Sequence, residues 1–387
     1  MSKKVYITGI GSISALGYGK EQVWDNLVND TQTVQVKEDW ANEKIQPQYF
    51  GNTPQVDTRE ALDWKERRLP NRYSSLGMLA CKNAIEDAGL TLHKDQDNEI
   101  GLVIETCLAA TESVEDYLYD LFQKGVTRVR PMKFTKTVAN GVLGDISRFF
   151  KLNGPSSLLY NENSINYGYD LIQKGIADIV ICGGVDHFTD FRVLCEQEKK
   201  QLVPISGQDN VSEAYQKVND LNKNVIGDGS AFIVLESEKS AQKRKANTYA
   251  ELVDYHSNFD YENVDTTTKR QAFILEDAYE KFKTTITPNK KVAFMSAYTT
   301  NVQTIANENN VLQKVAEQNE VLLMHHKQKT GDMKSASNVM SMNISSQILK
   351  NNLFPQNGKA ISEVDYAMIS TTHEGGTSSH YLLKSSN

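Results

Sequence analysis

The sequence predicts an α/β fold in which substantially parallel strands alternate with helices, built as two related halves. Three observations point there. Short apolar runs bounded by Gly, Asn and Ser alternate with longer segments whose apolar residues recur at helical spacing. Strands separated by helices are the pattern of a sheet with buried, parallel strands. The order of elements before about residue 240 returns after it, in pattern and not in residue identity.

In the first series, Val5–Gly11 reads as a strand ending in glycine. Asn71–Ala88 carries Leu76, Leu79, Ala80, Ala84, Ile85 and Ala88 at helical spacing and stops at Gly89, a residue suited to a helix C-cap. Ile100–Glu105 is a second strand, followed by a helical stretch through Val114, Tyr117, Leu118 and Leu121. Ser156–Asn161 and Asp178–Gly184 are the third and fourth, with a helix including Tyr169–Lys174 between them, and Ala231–Glu236 is the fifth. In the second series Tyr249–Tyr255, Lys291–Ala297, Glu320–His325, Asp365–Ser370 and His380–Lys384 read as strands. Lys269–Thr284, Val302–Gln318 and Asn338–Lys350 read as helices. Residues 31–62 and 187–225 are polar and poorly periodic, and are expected to be excursions over the core. No low-complexity linker separates the halves, 1–240 and 241–387, so they are expected to pack as one body.

Apolar residues make up 39% of the chain and charged residues 24%, a globular composition. The net charge of −7 argues against nucleic acid binding over the general surface. The basic group Lys199, Lys200, Lys243, Arg244 and Lys245 is a solvated face or a surface for an acidic protein. Cys81, Cys107, Cys182 and Cys195 form no CxxC pair, which argues against a disulfide framework or a zinc site. The adjacent His325 and His326 would point to opposite faces of a strand, so no metal is expected, and no cofactor is called for. No apolar leader core follows Met1, and no run approaches about 18 apolar residues. A cytoplasmic chain without a membrane partner is the expectation.

Five segments resemble, in order, the landmarks of one family. They are Val5–Gly11 with Ala15-Leu16-Gly17; Ala84-Ile85-Glu86-Asp87-Ala88-Gly89-Leu90; Gly154-Pro155-Ser156; Asp178-Ile179-Val180-Ile181-Cys182-Gly183-Gly184-Val185-Asp186; and Gly227-Asp228-Gly229-Ser230 with the strand Ala231–Glu236. Together they are similar to the β-ketoacyl synthase family. The resemblance implies the thiolase fold: two related βαβ-type halves forming a layered αβαβα core. Gly183-Gly184 at a strand end permits either positive φ or close backbone approach.

The resemblance also says where chemistry would sit. In that family a cysteine at a helix N-terminus attacks an acyl thioester, and two histidines support decarboxylation and the enolate. Here the segment after Gly154-Pro155-Ser156 reads Ser157-Leu158-Leu159-Tyr160-Asn161-Glu162-Asn163, with no cysteine. Asn163 falls at the nucleophile position, in a segment about five residues shorter than the family pattern, so the turn is expected to be remodelled. The first histidine position holds Tyr298. The second lies in Lys327-Gln328-Lys329-Thr330-Gly331-Asp332, where Lys327 and Gly331 remain and the histidine has become Asp332. An ionised aspartate would repel an enolate. Near the C-terminus, His373-Glu374-Gly375-Gly376-Thr377-Ser378 keeps only the central glycines and threonine of the family signature.

A synthase fold without its three catalytic side chains resembles the chain-length factor of type II polyketide systems. That implies an active ketosynthase as heterodimer partner, with acyl carrier protein engaged through the complex. Ser157, Leu158, Leu159 and Tyr160 match the strand that pairs across the family's dimer axis. Cys107, Thr111 and Ser113, with Phe134, Thr137, Val138 and Gly141 in a loop expected over Pro131–Gly144, are candidate walls of the acyl tunnel, or ordinary core positions. The family's usual factor carries glutamine where Asn163 stands, so this chain looks closer to partners of synthases making reduced or polyene chains. Two alternatives stay open. One is an acyltransferase with a relocated nucleophile, Cys107 or a site served by His373 and Asp332. The other is a stand-alone acyl-binding scaffold.

Overall fold

The computed structural model describes residues 3–92, 99–205, 211, 213–214, 223–259, 269–296, 311–356, 359–372 and 377–386. Ten strands form one path: β1 (Val5–Ser14), β2 (Gly101–Thr106), β3 (Ser156–Tyr160), β4 (Ile179–Asp186), β5 (Gly229–Ser237), β6 (Ala250–Phe259), β7 (Lys291–Ser296), β8 (Glu320–His325), β9 (Val364–Thr372) and β10 (Thr377–Ser385). Their spatial order is β8-β7-β9-β10-β6-β1-β5-β4-β2-β3, with the short Gly17–Tyr18 paired to β1. Counted outward from the centre, the first half runs β1-β5-β4-β2-β3 and the second β6-β10-β9-β7-β8. The two orders are the same: first, fifth, fourth, second, third. β1 and β6 join the halves antiparallel, from Val5↔Leu252 to Ile7↔Ala250.

In each half the second strand runs parallel to both neighbours, while the fifth runs antiparallel to both of its own. The sheet is therefore mixed, and the expectation of substantially parallel strands holds only where β2 meets β3 and β4 and where β7 meets β8 and β9, because an antiparallel strand buries the same apolar run.

Period-two alternation sorts the strand residues into separate cores. In the first half, Leu102, Ile104, Ile181, Phe232 and Val234 face α1 (Arg72–Asp87) and α4 (Gly141–Phe150) on the outside. Their alternates Val103, Cys182, Ile233 and Leu235 face inward. In the second half, Val292, Phe294, Tyr366, Met368 and Leu382 pack on the outer helix α7 (Lys269–Phe282). Ala293, Met295, Ala367, Ile369 and Tyr381 turn inward to the same central cluster. That cluster holds two helices, α5 (Ser164–Gln173) and α9 (Ser335–Asn351), so the layers run helix, sheet, helix, sheet, helix. Each fully buried Leu or Ile there contributes roughly 1.5–3 kcal/mol.

The central helix α9 is buried on every side from Ser335 to Leu349, which explains its weak amphipathic pattern. Its small Ser and Ala residues let both sheets approach. A Cβ on Gly184 would lie 2.5 Å from Ser335 O, so the double glycine serves close approach here and not positive φ.

The two excursions carry small elements. Gln35–Lys37 and Gln48–Gly51 form a three-stranded sheet with Ile226–Gly227, and α6 spans Asp190–Glu198. The third predicted strand ends at Tyr160 because Asn161 adopts φ 53°. The segment 131–144 is not a plain loop: it holds α3 (Pro131–Phe134) and the start of α4. α2 spans Thr111–Lys124 and α8 spans Lys327–Thr330. Residues 302–310 of the predicted Val302–Gln318 helix lie outside the described residues. Among those described, no helix is long and apolar enough to cross a membrane.

Candidate functional site

β3 delivers the chain to the centre of the molecule. After the turn at Asn161 and Glu162, Asn163 is the N-cap of α5, and only 1% exposed. Its amide bridges the two halves. Nδ2 donates to Ser379 Oγ at 2.8 Å, and Oδ1 accepts from Thr371 Oγ1 at 3.3 Å. Ser379 Oγ also accepts from Asn166 Nδ2 at 2.8 Å and donates to Ser257 Oγ at 3.1 Å. A neutral amide bonded through both ends is no nucleophile.

The side chain of Asn163 does not cap its helix. Two carboxylates do. Asn163 N donates to Glu162 Oε1 at 3.2 Å, and Ser164 N to Glu105 Oε1 at 3.2 Å. Glu105 is fully buried at the end of β2 and also accepts from Ser164 Oγ at 2.8 Å and Asn338 Nδ2 at 3.4 Å. Neither glutamate figured in the sequence reading. The signal was present: a lone charge ends the apolar run Leu102-Val103-Ile104-Glu105, where an inward-facing position demands partners.

Asp332 lies 5% exposed just beyond α8. Its Oδ1 sits 2.9 Å from Lys327 Nζ, and its Oδ2 lies 3.7 Å from Lys334 Nζ and 2.6 Å from Asn224 Nδ2. Burial pushes the carboxyl up, but the two ammonium groups hold it well below the usual carboxylate range. It is therefore a charged counter-ion, and its pairing with lysine removes it as the acid–base partner that His373 would need. His373 itself and Tyr298 lie outside the described residues. Lys327 is retained as the partner of Asp332. Gly331 is required locally, because it adopts φ 68° and a Cβ there would meet Ile226 O at 2.5 Å.

The described histidines near these positions are core groups. Burial lowers His325 to about 4 and His326 to about 3. His326 bonds Ser341 Oγ at 2.9 Å and Thr330 Oγ1 at 3.3 Å. Both rings are neutral at pH 7.

Cys107 is 7% exposed, with Sγ 3.1 Å from the Ser335 hydroxyl, which is no base. Its backbone N–H donates to Asp186, which also accepts from Leu108 N at 2.7 Å, Thr106 Oγ1 at 2.8 Å and Ser335 N at 2.9 Å. Burial pushes the Asp186 carboxyl up to about 6 against these donors. Asp186 thus staples the loop after β2 to the start of α9, and Cys107 is held inside that staple. Cys182 is a core thiol, raised well above its ordinary value by burial.

The other predicted wall residues do not gather around Cys107. Thr111 Oγ1 donates to Leu108 O, and Ser113 Oγ accepts from Asn71 Nδ2 at 2.8 Å, both half-buried in the first turn of α2. Phe134 is 58% exposed and Val138 44%; Thr137 bonds Phe134 O, and a Cβ on Gly141 would meet nothing within 4 Å. Phe134 and Val138 are thus exposed in the single chain, while Thr137 and Gly141 are half-buried. Ser157, Leu158 and Leu159 are half-buried and Tyr160 exposed on β3, which ends the strand path. One member of the predicted basic face is not free: Arg244 forks onto buried Glu236, Nε to Oε1 at 2.7 Å and Nη2 to Oε2 at 2.6 Å.

Comparison with known proteins follows the same lines. Residues 2–241 match the family model described as Beta-ketoacyl synthase, N-terminal domain. A 3-oxoacyl-[acyl-carrier-protein] synthase 2 from Staphylococcus aureus (strain COL) is 26% identical over 265 residues, 67% of this chain and 64% of that protein. The protein of the same name from Synechocystis sp. is 25% identical over 258 residues, 65% of this chain and 62% of that one. The match thus spans less than two thirds of the length of these relatives. Among solved structures, the ishigamide ketosynthase/chain length factor superposes with a TM-score of 0.83 at 17% identity, covering 100% of both chains. A β-ketoacyl synthase from Burkholderia phymatum STM815 gives 0.81 at 17%, also over 100% of both. At that identity the superpositions speak for the fold. With the family model matching well over half of the sequence and the fold agreeing throughout, the chain belongs to the β-ketoacyl synthase family.

Proposed function

We propose that this chain is a non-catalytic, chain-length-factor-like subunit. It pairs with an active ketosynthase and shapes that partner's acyl tunnel during type II polyketide or fatty-acid-like elongation, with acyl carrier protein engaged through the complex. The observation that carries the reading is position 163. At the helix N-terminus where this family attacks a thioester stands a buried amide, bonded at both ends to Ser379 and Thr371. Asp332, ion-paired to two lysines, supports it.

A partner subunit accounts for two surface features. Among the described residues β3 ends the strand path with Tyr160 60% exposed, and a sheet edge of this kind offers a template on which a strand of another chain can pair. The segment from α2 to α4 exposes Phe122 (80%), Val126 (78%), Met132 (68%) and Phe134 (58%). Apolar groups at this density mark an interaction surface. The likeness to a ketosynthase/chain length factor structure agrees with this reading. We assign the product to the reduced or polyene class, aryl polyenes included, on Asn163 and its shortened turn. The site of action is read as the cytoplasm.

The test uses the full chain alone and co-expressed with a cysteine-bearing synthase from the same genome. The pair should co-purify in equal amounts. The isolated chain should gain no mass after incubation with acyl- or malonyl-carrier protein. An acyl adduct on the isolated chain, on Cys107 or elsewhere, would overturn the proposal.

A further inference from the structure

We propose that Glu105 is an electrostatic lock: its buried carboxylate holds the N-terminus of α5 in place of the anion that catalysis would need there, so that even a thiol at position 163 would stay protonated. The inference rests on the non-catalytic reading above and adds a second, independent determinant to it. A helix N-terminus favours negative charge, because its first N–H groups lack intrahelical acceptors. In this chain two of those groups are already engaged, Asn163 N by Glu162 and Ser164 N by Glu105.

Glu105 reaches the site by strand geometry. Val103 faces the central layer, so the residue two further along β2 faces it too. Every contact described to its carboxylate is a donor: Ser164 N, Ser164 Oγ and Asn338 Nδ2. Glu162 completes the arrangement, taking Thr377 Oγ1 at 3.3 Å on its second oxygen.

Among the described residues, the groups around position 163 supply no opposing charge. β4 contributes Cys182 and β10 contributes Tyr381, both buried and both held above their ordinary values, hence neutral. α9 contributes Asn338, α5 contributes Asn166, and β6, β9 and β10 contribute Ser257, Thr371 and Ser379. None of these is a cation. A thiolate would therefore be a third negative charge beside two carboxylates. Like charges in contact range oppose the lowering that a helix terminus gives a thiol.

The test titrates a thiol placed at position 163. Asn163→Cys and Asn163→Cys/Glu105→Gln are prepared as full chains labelled with ¹³Cβ-cysteine. The Cβ resonance follows ionisation even where no reagent can enter. The single variant should titrate above the ordinary thiol value of about 8.5. The double variant should titrate at least about one pH unit lower, roughly a ten-fold larger thiolate fraction at pH 7. A single variant titrating below the ordinary value, or a folded double variant with an unmoved midpoint, overturns the proposal. A second measurement covers misfolding. Glu105→Ala in the parent chain should gain melting temperature, or recover folding, in formate over equal chloride, because formate can refill the emptied anion position. No formate-specific gain would also overturn it. An acyl adduct on the parent chain would remove the non-catalytic reading and leave these titrations standing.

Discussion

Replacing Asp332 by Asn takes one negative charge from between two buried cations. Lys327 Nζ lies 2.9 Å and Lys334 Nζ 3.7 Å from the carboxylate, and the lysine side chains are 9% and 8% exposed. Removing one member of a buried ion pair costs about 3–5 kcal/mol, because the charge left behind stays desolvated. Unfolding entropy of about 2.1 cal/mol/K per residue over 387 residues is roughly 0.8 kcal/mol per kelvin. Asp332→Asn should therefore melt about 4–6 °C below the parent in calorimetry at pH 7. Its pH dependence has a definite sign. The folded carboxyl lies below its unfolded value of about 3.9, so its stabilisation is present above that pH and is lost as the pH falls further. Asp332→Asn should lose this acid-side slope. Asp332→His, which installs the family's residue, should lose as much stability, because an imidazole cannot neutralise two lysines. A second substitution, Lys327→Met, should recover part of the loss in Asp332→Asn. A melting temperature for Asp332→Asn within one degree of the parent, about 1 °C on a scale where 4–6 °C is expected, would refute the counter-ion account.

Three further outcomes are expected. Arg244→Ala leaves Glu236, fully buried, without its forked partner, and frees Ala88 O, which Arg244 Nη1 reaches at 2.6 Å. A loss of about 3–5 kcal/mol in urea unfolding should follow, with Arg244→Lys recovering only part, because an ammonium cannot reproduce the fork. Asp186 has the opposite pH sign to Asp332: its folded value of about 6 lies above the unfolded one, so its contribution declines as pH rises from about 4 through 6. Urea midpoints for Asp186→Asn across pH 4.5–7 should lack that decline, by about this linkage. Tyr160→Glu, on the exposed end of β3, should leave the melting temperature of the isolated chain unchanged and abolish co-purification with the synthase partner. An undiminished complex would place the interface elsewhere.

The periodic signals carried the fold well. Leu102, Val103 and Ile104 look alike in sequence, yet their alternation between the outer and central cores is what period two requires. The direction of β5 and β10 was not legible, because an antiparallel strand and a parallel one bury the same apolar run. Residues 131–144 were read as a loop because α3 is a single short turn with too little apolar surface to show a period. At the site, the sequence singled out positions 163, 327, 331 and 332 but not the groups that meet at position 163. Glu105 precedes Asn163 by many residues, and Ser379 and Thr371 come from the other half. Only the meeting of two sheets on α5 and α9 brings them together.

The bonds at these positions bear on the proposed non-catalytic role. A buried polar group left without a partner costs about 1–3 kcal/mol, so a cleft that merely lost its catalytic side chains would weaken the chain at each vacancy. Here each of the positions that can be followed is a joint. Asn163 ties α5 to β9 and β10, Glu105 ties β2 to α5 and α9, and Asp332 ties α8 to Asn224 and to the backbone before β5 through Val225 O at 2.6 Å. A subunit whose proposed task is to present a fixed wall to a partner gains from that stiffness, whereas an enzyme at the same positions would need space and a free nucleophile. Stiffness and reactivity are thus separable in this chain. Opening one joint by Glu105→Gln should change the ionisation of a thiol at position 163, while pairing through β3, on the far edge of the sheet, should be unaffected.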